Sequence, residues 1–342
     1  MPAERVNVFI VHTPFQHLIV NHLLKTLAEL KQADNYLVLD MDPRSIDILE
    51  INWKKVVVLE PPVGGSVIGS GKNCRQALSE IDGIIGLYPE TCLFLSDVDW
   101  PLNNALYGYV KKTRGRKIQM CNYPDGIGSL LVQRPDRRRK FRNIVKSLIG
   151  TLGGSPYYSY NCDIMGIAVA DKVYSLIPEV IRNKTDREII KIPGLRIEKS
   201  EMNGNGCIFL GQYFKNMTSE VEQREMCIKA AEFTANLGYS DLFYKPHHLA
   251  ATSVENEIFL ERGFQLVSDT RPIEEIFLSR QMYCTVSYIS SALVHLKMMF
   301  GDEVRCISLL NLTSLDRIFK GTGVIEQMRE LFRLSGVECN DE

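Results

Sequence analysis

The most reactive side chains of the sequence follow a short apolar run in the second half of the chain. Leu242–Tyr244 predicts a buried strand, and Lys245, His247 and His248 come directly after it. Open α/β sheets bind ligands at the carboxyl ends of strands, where a histidine can protonate or hydrogen-bond a phosphate near neutral pH. This stretch therefore predicts a phosphate-handling loop, with a solvated surface loop as the structural alternative.

A pair of adjacent hydroxyl groups is a second candidate for the same chemistry. Ser290 and Ser291 follow the apolar run Met282–Val286 and precede a segment whose apolar spacing predicts a helix. A helix N-terminus attracts phosphate because its first backbone N–H groups lack partners inside the helix. The pair therefore predicts a phosphate ligand, although serine is also a common N-cap residue.

An acidic side chain occupies a comparable position in the first half. Asp125 follows the predicted strand Lys117–Cys121 and precedes Gly126. A carboxylate there can take the proton of an attacking hydroxyl, while His247 and the serines stabilise a phosphate that departs from the opposite face of a sugar. These are the groups that an inverting glycosyl transfer from a nucleotide donor needs. An ordinary Asp-Gly turn is the alternative.

Length and composition narrow the class of protein. The 342 residues suffice for two domains, and the net charge of -1 provides no overall field for binding nucleic acid. Nine cysteines are scattered without Cys-x-x-Cys spacing, which is typical of reduced thiols inside the cell. We expect no signal peptide, because the charged residues Glu4 and Arg5 lead directly into a predicted strand. We expect no membrane span, because no apolar run reaches about 18 residues. The expected location is the cytoplasm, with peripheral contact at the inner face of the membrane left open.

The hydrophobic pattern repeats an order of strand and then helix in both halves, which is typical of doubly wound α/β domains. We predict an N-terminal Rossmann-like acceptor-side domain over residues 1–200 and a C-terminal Rossmann-like nucleotide-donor domain over residues 201–342. Two such domains facing across a cleft, with a final helix over Ser314–Leu334 that can cross back, form the GT-B architecture of glycosyltransferases. The predicted strands are Val6–Val11, Asn35–Asp40, Lys55–Leu59, Thr91–Ser96, Lys117–Cys121, Asp163–Val169, Cys207–Leu210, Leu242–Tyr244, Phe264–Val267, Met282–Val286 and, as the last, Glu303–Leu309.

A dense basic run follows Gly126, with Asp136 as its one acidic interruption. Two interpretations are open. The run could be a solvated helix face, as charge runs usually are. It could also be a basic rim that meets an anionic acceptor or the anionic headgroups of the inner membrane. Its residues are Arg134, Arg137, Arg138, Arg139, Lys140, Arg142 and Lys146.

Two other stretches of the first half invite a functional interpretation. Pro61–Gly71 is glycine-rich but lacks the lysine of a phosphate loop, so we interpret it as a connection. Ser96–Trp100 contains the Asp-x-Asp of metal-dependent GT-A transferases, in which carboxylates hold a divalent ion on a diphosphate. That role would require a one-domain fold. The strands predicted for the second half instead favour a loop with helix-capping acids, and no metal site is predicted.

Together these residues resemble the motifs of bacterial sialyltransferases of GT-B fold. This group includes the lipooligosaccharide sialyltransferases of glycosyltransferase family 52 and the capsular polysialyltransferases. Their shared motifs are an acidic pair followed by Gly, a His-Pro after a short strand, and a Ser-Ser or Ser-Thr pair. A Thr-Pro-x-Gln loop, the turn that opens the nucleotide-binding half and a Pro-x-Glu are softer similarities. The matching stretches are Asp125–Gly126, Lys245–His248, Ser290–Ser291, Thr13–Gln16, Leu210–Gln212 and Pro272–Glu274.

The resemblance implies a role for each matched position. Asp125 would be the general base, His247 the general acid or phosphate-stabilising group, and Glu274 a contact to cytidine. The implied reaction is the inverting transfer of N-acetylneuraminic acid from CMP-sialic acid to a sugar hydroxyl of a lipopolysaccharide or capsular glycan, with no metal or other cofactor. The implied donor-binding residues are Ser290, Ser291, Glu274, Gly211, Gln212 and Lys245.

Two positions depart from the shared motifs. Pro124 occupies the first acidic position, and His248 stands where a proline is expected, so either imidazole could face the phosphate. One alternative function is transfer of another nonulosonic acid or of 3-deoxy-octulosonate. Another is a catalytically inactive GT-B subunit that binds glycan or nucleotide. Two of the matched residues also have a purely structural interpretation. Glu274 could simply occupy the first turn of a helix, where acidic residues are favoured, and Gln16 could simply cap a helix.

Overall fold

The computed structural model divides the chain into two compact units, Met1–Pro193 and Gly194–Glu342, called unit 1 and unit 2 below. The predicted domain boundary, between residues 200 and 201, lies outside the described residues. Those residues are 4–48, 51–59, 67–97, 100–113, 117–126, 137–152, 170–182, 185–194, 205–213, 218–247, 254–269, 271–280, 282–313, 317 and 323–340.

Unit 1 contains a seven-stranded sheet with the order β3-β2-β1-β4-β5-β6-β7, and every described strand pair in it is parallel. The first five strands confirm the predictions. Two short strands, β6 and β7, were not predicted because each lacks a continuous apolar run, and the predicted strand Asp163–Val169 lies outside the described residues. The strands are β1 (Arg5–Val11), β2 (Asp34–Leu39), β3 (Lys55–Val58), β4 (Glu90–Leu95), β5 (Lys117–Asn122), β6 (Lys172–Ser175) and β7 (Glu188–Lys191).

Strand β1 is central because its side chains are apolar on both faces. Val8 and Ile10 join the core on one side of the sheet, where residues of α3 also pack. Phe9 points to the other face and stacks on Phe94, with ring centroids 4.3 Å apart. Burial on both faces explains why this strand is mostly apolar rather than alternating, with buried Asn7 as a hydrogen-bonded exception.

The helices of unit 1 correct one prediction. Gly69 and Gly71 lie inside α3, so the predicted connection cannot extend to Gly71. Apolar residues later in this helix, including Ala77 and Ile81, pack on the sheet and outweigh the low helix propensity of glycine. The helices are α1 (Pro14–Thr26), α2 (Ala28–Lys31), α3 (Val67–Ile85), α4 (Pro101–Lys112), α5 (Arg137–Leu152) and α6 (Pro178–Ile181).

Unit 2 contains a six-stranded parallel sheet with the order β10-β9-β8-β11-β12-β13. The five predicted strands are confirmed. The prediction that β12 is the last strand is wrong, because the two-residue strand β13 pairs with it after the final helix. The strands are β8 (Gly206–Leu210), β9 (Asp241–Lys245), β10 (Gln265–Leu266), β11 (Met282–Ser287), β12 (Arg305–Ser308) and β13 (Glu338–Cys339).

The helices of unit 2 show how local sequence sets their ends. Ser219 and Glu222 form a capping box at the start of α7, in which each side chain binds the backbone N–H of the other residue. The final helix, α11, packs against α10 within the same unit. No helix among the described residues combines the length and the apolar character that crossing a bilayer requires. The helices are α7 (Glu220–Ala235), α8 (Val254–Glu261), α9 (Ile273–Ser279), α10 (Ser291–Phe300) and α11 (Val324–Ser335).

Both sheets reverse their strand order at one point. In unit 1 the reversal lies between β1 and β4, and in unit 2 it lies between β8 and β11. Chains leave neighbouring strands in opposite directions there, which opens a crevice at the carboxyl ends where α/β proteins bind ligands. Each unit therefore has one such crevice at the carboxyl ends of its strands.

Candidate functional site

Asp125 is held firmly at the carboxyl edge of the sheet in unit 1. Its Oδ1 accepts a hydrogen bond from Gln16 Nε2 at 2.6 Å, and its Oδ2 accepts one from Trp100 Nε1 at 3.0 Å. The three residues follow β5, β1 and β4, which are neighbours at the reversal point. Two donors, one on each oxygen, orient the carboxylate.

Gln16 is fully buried, and its hydrogen bonds determine which way its amide points. Its Oε1 accepts from the backbone N–H of His12 at 2.6 Å and from the hydroxyl of Tyr123 at 3.3 Å. Its Nε2 therefore faces Asp125 and also donates to Ser96 Oγ at 3.1 Å. Burial, followed by the nearby Asp125 charge, raises the pKa of Tyr123 well above its usual range, so the phenol remains a donor.

The predicted capping role belongs to a neighbour of Gln16. Thr13 is the N-cap of α1, and its hydroxyl accepts a hydrogen bond from the backbone N–H of Gln16 at 3.2 Å. The side chain of Gln16 is thereby available to connect β1 with Asp125. The Thr-Pro-x-Gln motif signalled this position, but the sequence did not indicate its contact with Asp125.

Trp100 is the N-cap residue of α4 and the member of this cluster with a partly exposed ring. Its indole lies parallel to the imidazole of His12, with centroids 4.6 Å apart and planes 2° apart. His12 is buried beneath it, with Nδ1 2.9 Å from Asp40 Oδ2 and Nε2 3.0 Å from Asn103 Oδ1. Asn103 donates its own N–H groups elsewhere, so both ring nitrogens of His12 face acceptors.

The stack and the two hydrogen bonds hold the ring of His12 in one orientation, and the ring in turn supports one face of Trp100. Sequence analysis predicted neither Trp100 nor His12 as a site residue. The one available signal was that His12 and Trp100 each follow a predicted strand.

The predicted donor-binding residues of unit 2 meet at a single sheet edge. Gly211 and Gln212 follow β8, Lys245 is the last residue of β9 and His247 follows it, and Ser290 follows β11. These three strands are adjacent, with β8 in the middle. The structure therefore gathers these side chains at the reversal point of the second sheet, whereas His248 lies outside the described residues.

Gly211 allows the loops after β8 and β9 to approach each other closely. Its backbone N–H donates to the carbonyl of Lys245 at 2.9 Å. A Cβ atom at this position would lie 2.5 Å from Glu255 Oε2 and 3.2 Å from the backbone nitrogen of His247. Glycine is therefore required here for packing, whether or not its backbone contacts a nucleotide.

Glu255 is a buried acid that sequence analysis missed. Its Oε2 accepts from Tyr244 OH at 3.0 Å and from the backbone N–H of Gln212 at 3.3 Å. Its Oε1 has no hydrogen-bond partner among the described residues. Burial raises the pKa of Glu255 to about 7. The available signal was its spacing, because Glu255 shares the buried side of α8 with Ile258 and Phe259.

The two basic groups at the end of β9 have contacts of different kinds. Lys245 Nζ donates to the backbone carbonyl of Asp269. Partial burial lowers the pKa of Lys245, and the positive charge of Arg271 lowers it further, against the opposing effect of Asp269. The ring of His247 lies 6.1 Å from that of Tyr213, with planes 21° apart. Both side chains are half-buried, so each can reach a ligand at this edge.

Ser290 is the N-cap of α10, and Ser291 is the first residue of that helix. The hydroxyl of Ser290 accepts a hydrogen bond from the backbone N–H of Ala292 at 3.3 Å. Ser290 therefore caps the helix, which was the structural interpretation of the serine pair. It does not compete with phosphate binding, because the same helix N-terminus presents further backbone N–H groups.

Glu274 is placed in the first turn of α9 and is buried against α10. Its Oε1 lies 3.0 Å from His295 Nδ1, and both side chains are almost inaccessible to solvent. A cytidine contact through Glu274 would therefore use Oε2. The sequence did not indicate this pairing, since 21 residues separate the two partners.

The remaining candidates of unit 1 lie partly outside the described residues. Arg137 and Arg138 are exposed at the start of α5, whereas Arg134 is not described. Of the two acids in Asp-x-Asp, the structure describes Asp97, whose carbonyl accepts from Asn103. The described ranges contain no group of three or more His, Cys, Asp or Glu side chains placed to hold a metal ion.

These features define a two-unit Rossmann-like α/β protein with polar side chains at the reversal point of each sheet. Solved structures share this fold across nearly the whole chain. A protein described as a UDP-N-acetylglucosamine 2-epimerase from Listeria monocytogenes is 12% identical, with a TM-score of 0.56, covering 98% of this chain and 88% of that one. The UDP-GlcNAc 2-epimerase of Neisseria meningitidis bound to UDP-GlcNAc is 9% identical, with a TM-score of 0.52 and coverages of 95% and 94%.

S. aureus MnaA, solved with UDP, is also similar, at 12% identity, a TM-score of 0.52 and coverages of 97% and 90%. At these identities the similarity establishes the fold, which is GT-B-like, and nothing about the reaction. The predicted α/β fold class is confirmed.

Sequence comparison identifies a more specific similarity. The family model Alpha-2,8-polysialyltransferase (POLYST) matches residues 158–307, somewhat less than half of the chain. This stretch is therefore similar to a sialyltransferase-type family, and it contains His247, Glu274, Ser290 and Ser291 but not Asp125.

Protein translocase subunit SecA 2 of Mycobacterium ulcerans (strain Agy99) is 27% identical over 116 residues, or 34% of this chain. The chain spans only 14% of that protein's length. So short a match establishes neither a shared family nor a shared activity.

Proposed function

We propose that this protein is an inverting sialyltransferase. It would move N-acetylneuraminic acid from CMP-sialic acid to a sugar hydroxyl of a bacterial surface glycan. The observation that carries the proposal is the gathering of His247, Ser290 and the Gly211–Gln212 turn at one sheet edge, within the stretch that matches the polysialyltransferase family. The solved neighbours that hold UDP or UDP-GlcNAc support a nucleotide-sugar donor in this fold.

On the acceptor side, Asp125 is the proposed general base. The acceptor hydroxyl attacks the anomeric carbon as its proton passes to the carboxylate of Asp125. Gln16 and Trp100 each hold one carboxylate oxygen, so the group that receives the proton is already oriented.

On the donor side, the residues of unit 2 are proposed to stabilise the leaving group. The bond from the anomeric carbon to the phosphate oxygen breaks, and its electron pair goes to cytidine monophosphate. His247 donates a proton or a hydrogen bond to that phosphate, while Ser290, Ser291 and the N-terminus of α10 bind its other oxygens. Lys245 adds positive charge at the same edge. One displacement inverts the anomeric centre without a covalent enzyme intermediate or a metal ion.

The proposed acceptor is a lipopolysaccharide or capsular glycan assembled at the cytoplasmic face of the membrane. The basic run from Arg134 to Lys140 is proposed to bind the anionic acceptor or anionic headgroups. Replacing Arg137, Arg138 and Arg139 with glutamine should then reduce activity on lipid-linked acceptors more than on short soluble ones. An equal loss on both acceptors would contradict this role.

The experiment that tests the proposal measures release of cytidine monophosphate from CMP-sialic acid with a galactose-terminated acceptor. Asp125→Asn and His247→Ala are compared with wild type, and Asp241→Asn serves as the matched control because Asp241 is exposed at the amino end of β9. We expect each site variant to lose about 100-fold or more in turnover, and the control to keep it.

The alternatives predict different outcomes of this experiment. Saturable nucleotide binding without turnover would indicate an inactive binding subunit, consistent with Pro124 at the first acidic position. Turnover only with another cytidine-activated acid, such as a related nonulosonic acid or 3-deoxy-octulosonate, would keep the site and change the donor. Failure of cytidine monophosphate to raise the unfolding temperature, together with absence of turnover, would overturn the donor class.

A further inference from the structure

Helix α5 presents an apolar surface to solvent. Twelve large apolar side chains among the described residues are exposed, and six of them lie in this one helix. Phe141 is 69% exposed, Leu148 is 61% exposed and Leu152 is 87% exposed. Such clustering is unusual, because scattered exposed apolar residues are normal and contiguous ones mark binding surfaces. The six residues, called the apolar face of α5, are Phe141, Ile144, Val145, Leu148, Ile149 and Leu152.

The apolar face forms one continuous stripe along the helix. With 3.6 residues per turn, its six side chains span roughly 140° of the helix circumference. The helix also packs against α3, and Lys140 and Ser147, which lie beside the stripe, are less exposed than its members. A helix on the surface of a globular protein normally turns its apolar stripe toward the core. In α5 the stripe faces solvent instead.

Helix α5 is strongly basic in sequence. Helix α5 has the sequence RRRKFRNIVKSLIGTL, which contains six basic residues and no acid, although the whole chain has a net charge of -1. Arg137 and Arg138 are exposed, and at helical spacing they extend the same side of the helix beyond Phe141. Basic residues next to an exposed apolar stripe complement a surface that is anionic outside and apolar beneath.

We propose that α5 binds a lipid bilayer with anionic headgroups and lies in the plane of its interface. The apolar face enters the boundary between headgroups and acyl chains, and the arginines and lysines bind lipid phosphates. A second copy of the chain fits this surface poorly, because pairing two such helices would bring together twelve positive charges with no acid from either helix. The anchor holds the protein at a membrane whichever sugar it transfers.

Vesicle flotation tests this surface directly. The full chain is mixed with vesicles of phosphatidylcholine, with or without phosphatidylglycerol, and the bound fraction is measured at low and high salt. We expect binding to the anionic vesicles that weakens with salt. Phe141→Ser/Leu148→Ser should reduce the vesicle partition coefficient at least tenfold, and Arg137→Gln/Arg138→Gln should reduce it only on anionic vesicles.

The matched control is Leu87→Ser/Val221→Ser, which removes two apolar side chains that are 73% and 69% exposed elsewhere. This control should bind like wild type. Wild type that does not bind anionic vesicles would overturn the proposal, as would equal binding by Phe141→Ser/Leu148→Ser. A wild-type dimer that this variant dissociates, without any vesicle binding, would also overturn it and assign the face to a second copy. Since the assay uses no sugar donor, failure of the proposed reaction would leave its outcome unchanged.

Discussion

The indole ring of Trp100 lies parallel to the imidazole ring of His12, with the ring centroids 4.6 Å apart. This stack places Trp100 Nε1 3.0 Å from Asp125 Oδ2. His12 is itself held by Asp40 and Asn103. The orientation of the proposed base, which follows β5, thus depends on residues that follow the three neighbouring strands β2, β1 and β4.

The indole N–H makes Trp100 a positioning residue that can be tested. Trp100→Phe keeps a ring for the stack but removes the donor to Asp125. A hydrogen bond to a charged group contributes about 1.5–3 kcal/mol, so kcat should fall about ten- to hundredfold while the donor KM stays near the wild-type value. In an Asp125→Asn background the same substitution should lower kcat much less, because the carboxylate that the indole positions is already absent.

Steady-state kinetics of the two single variants and of the double variant measure both effects of Trp100→Phe. The control is Trp53→Phe, which replaces the other tryptophan of the chain, whose Nε1 has no hydrogen-bond partner among the described residues. If Trp100→Phe lowered kcat by the same factor in the wild-type and Asp125→Asn backgrounds, the indole would act through packing and not through Asp125.

Glu255 should make stability depend on pH. Burial raises its pKa in the folded protein from 4.5 to about 7. As pH rises through this window, the unfolded chain releases the proton while the folded chain retains it, so the free energy of unfolding falls. Glu255→Gln cannot ionise and removes this decrease. The variant should be more stable than wild type at pH 8 by up to about 3 kcal/mol, and about equally stable near pH 4.5.

Denaturant unfolding at several pH values measures this difference. Glu257→Gln, on an exposed position of the same helix, is the control and should follow wild type at every pH. If the free energies of unfolding of Glu255→Gln and wild type changed in parallel from pH 4.5 to 8, Glu255 would be ionised in the folded protein.

Ser290 combines a cap with a proposed phosphate contact, and two substitutions separate these roles. Ser290→Ala removes the capping oxygen and should lower the free energy of unfolding by about 1 kcal/mol. Ser290→Asp keeps a capping oxygen but places negative charge beside the donor phosphate. We expect the Asp variant to remain stable and to raise the donor KM at least tenfold.

Ser219→Ala is the control for capping alone, because Ser219 caps α7. It should lower stability by a similar amount without changing the donor KM. Thermal unfolding and initial-rate kinetics give the two quantities. An unchanged donor KM in Ser290→Asp would leave Ser290 with a capping role only.

The Glu274–His295 pair should contribute to stability. Glu274→Ala leaves the buried His295 Nδ1 without its acceptor, so the free energy of unfolding should fall by about 1–3 kcal/mol. Glu275→Ala, at the exposed neighbouring position, should change it by no more than about 0.5 kcal/mol. Glu274→Gln can still accept from His295, so a raised donor KM in this variant would support the cytidine contact. Equal denaturant midpoints for Glu274→Ala and Glu275→Ala would contradict the structural role.

Local patterns in the sequence were enough to predict most elements of this fold. The continuous apolar runs of β1 and β8 indicated central parallel strands, and Ser219 with Glu222 indicated the start of α7. Positions such as Asp125, His247 and Ser290 could be assigned to strand ends and loops. These features depend on residues within a few positions of one another, where hydrogen bonding and side-chain periodicity are set locally.

Other features were decided only by the tertiary structure. Gln16 and Asp125 are 109 residues apart, and Trp100 is 25 residues from Asp125, so their contacts arise from strand order and not from any local pattern. The burial of Glu255 depends on how α8 packs behind the Gly211–Gln212 turn. The periodicity of α5 contained an apolar stripe, yet only packing against α3 determined that this stripe faces solvent. The spacing of apolar residues defines the faces of a helix or strand. Which other residues pack on each face depends on the whole fold.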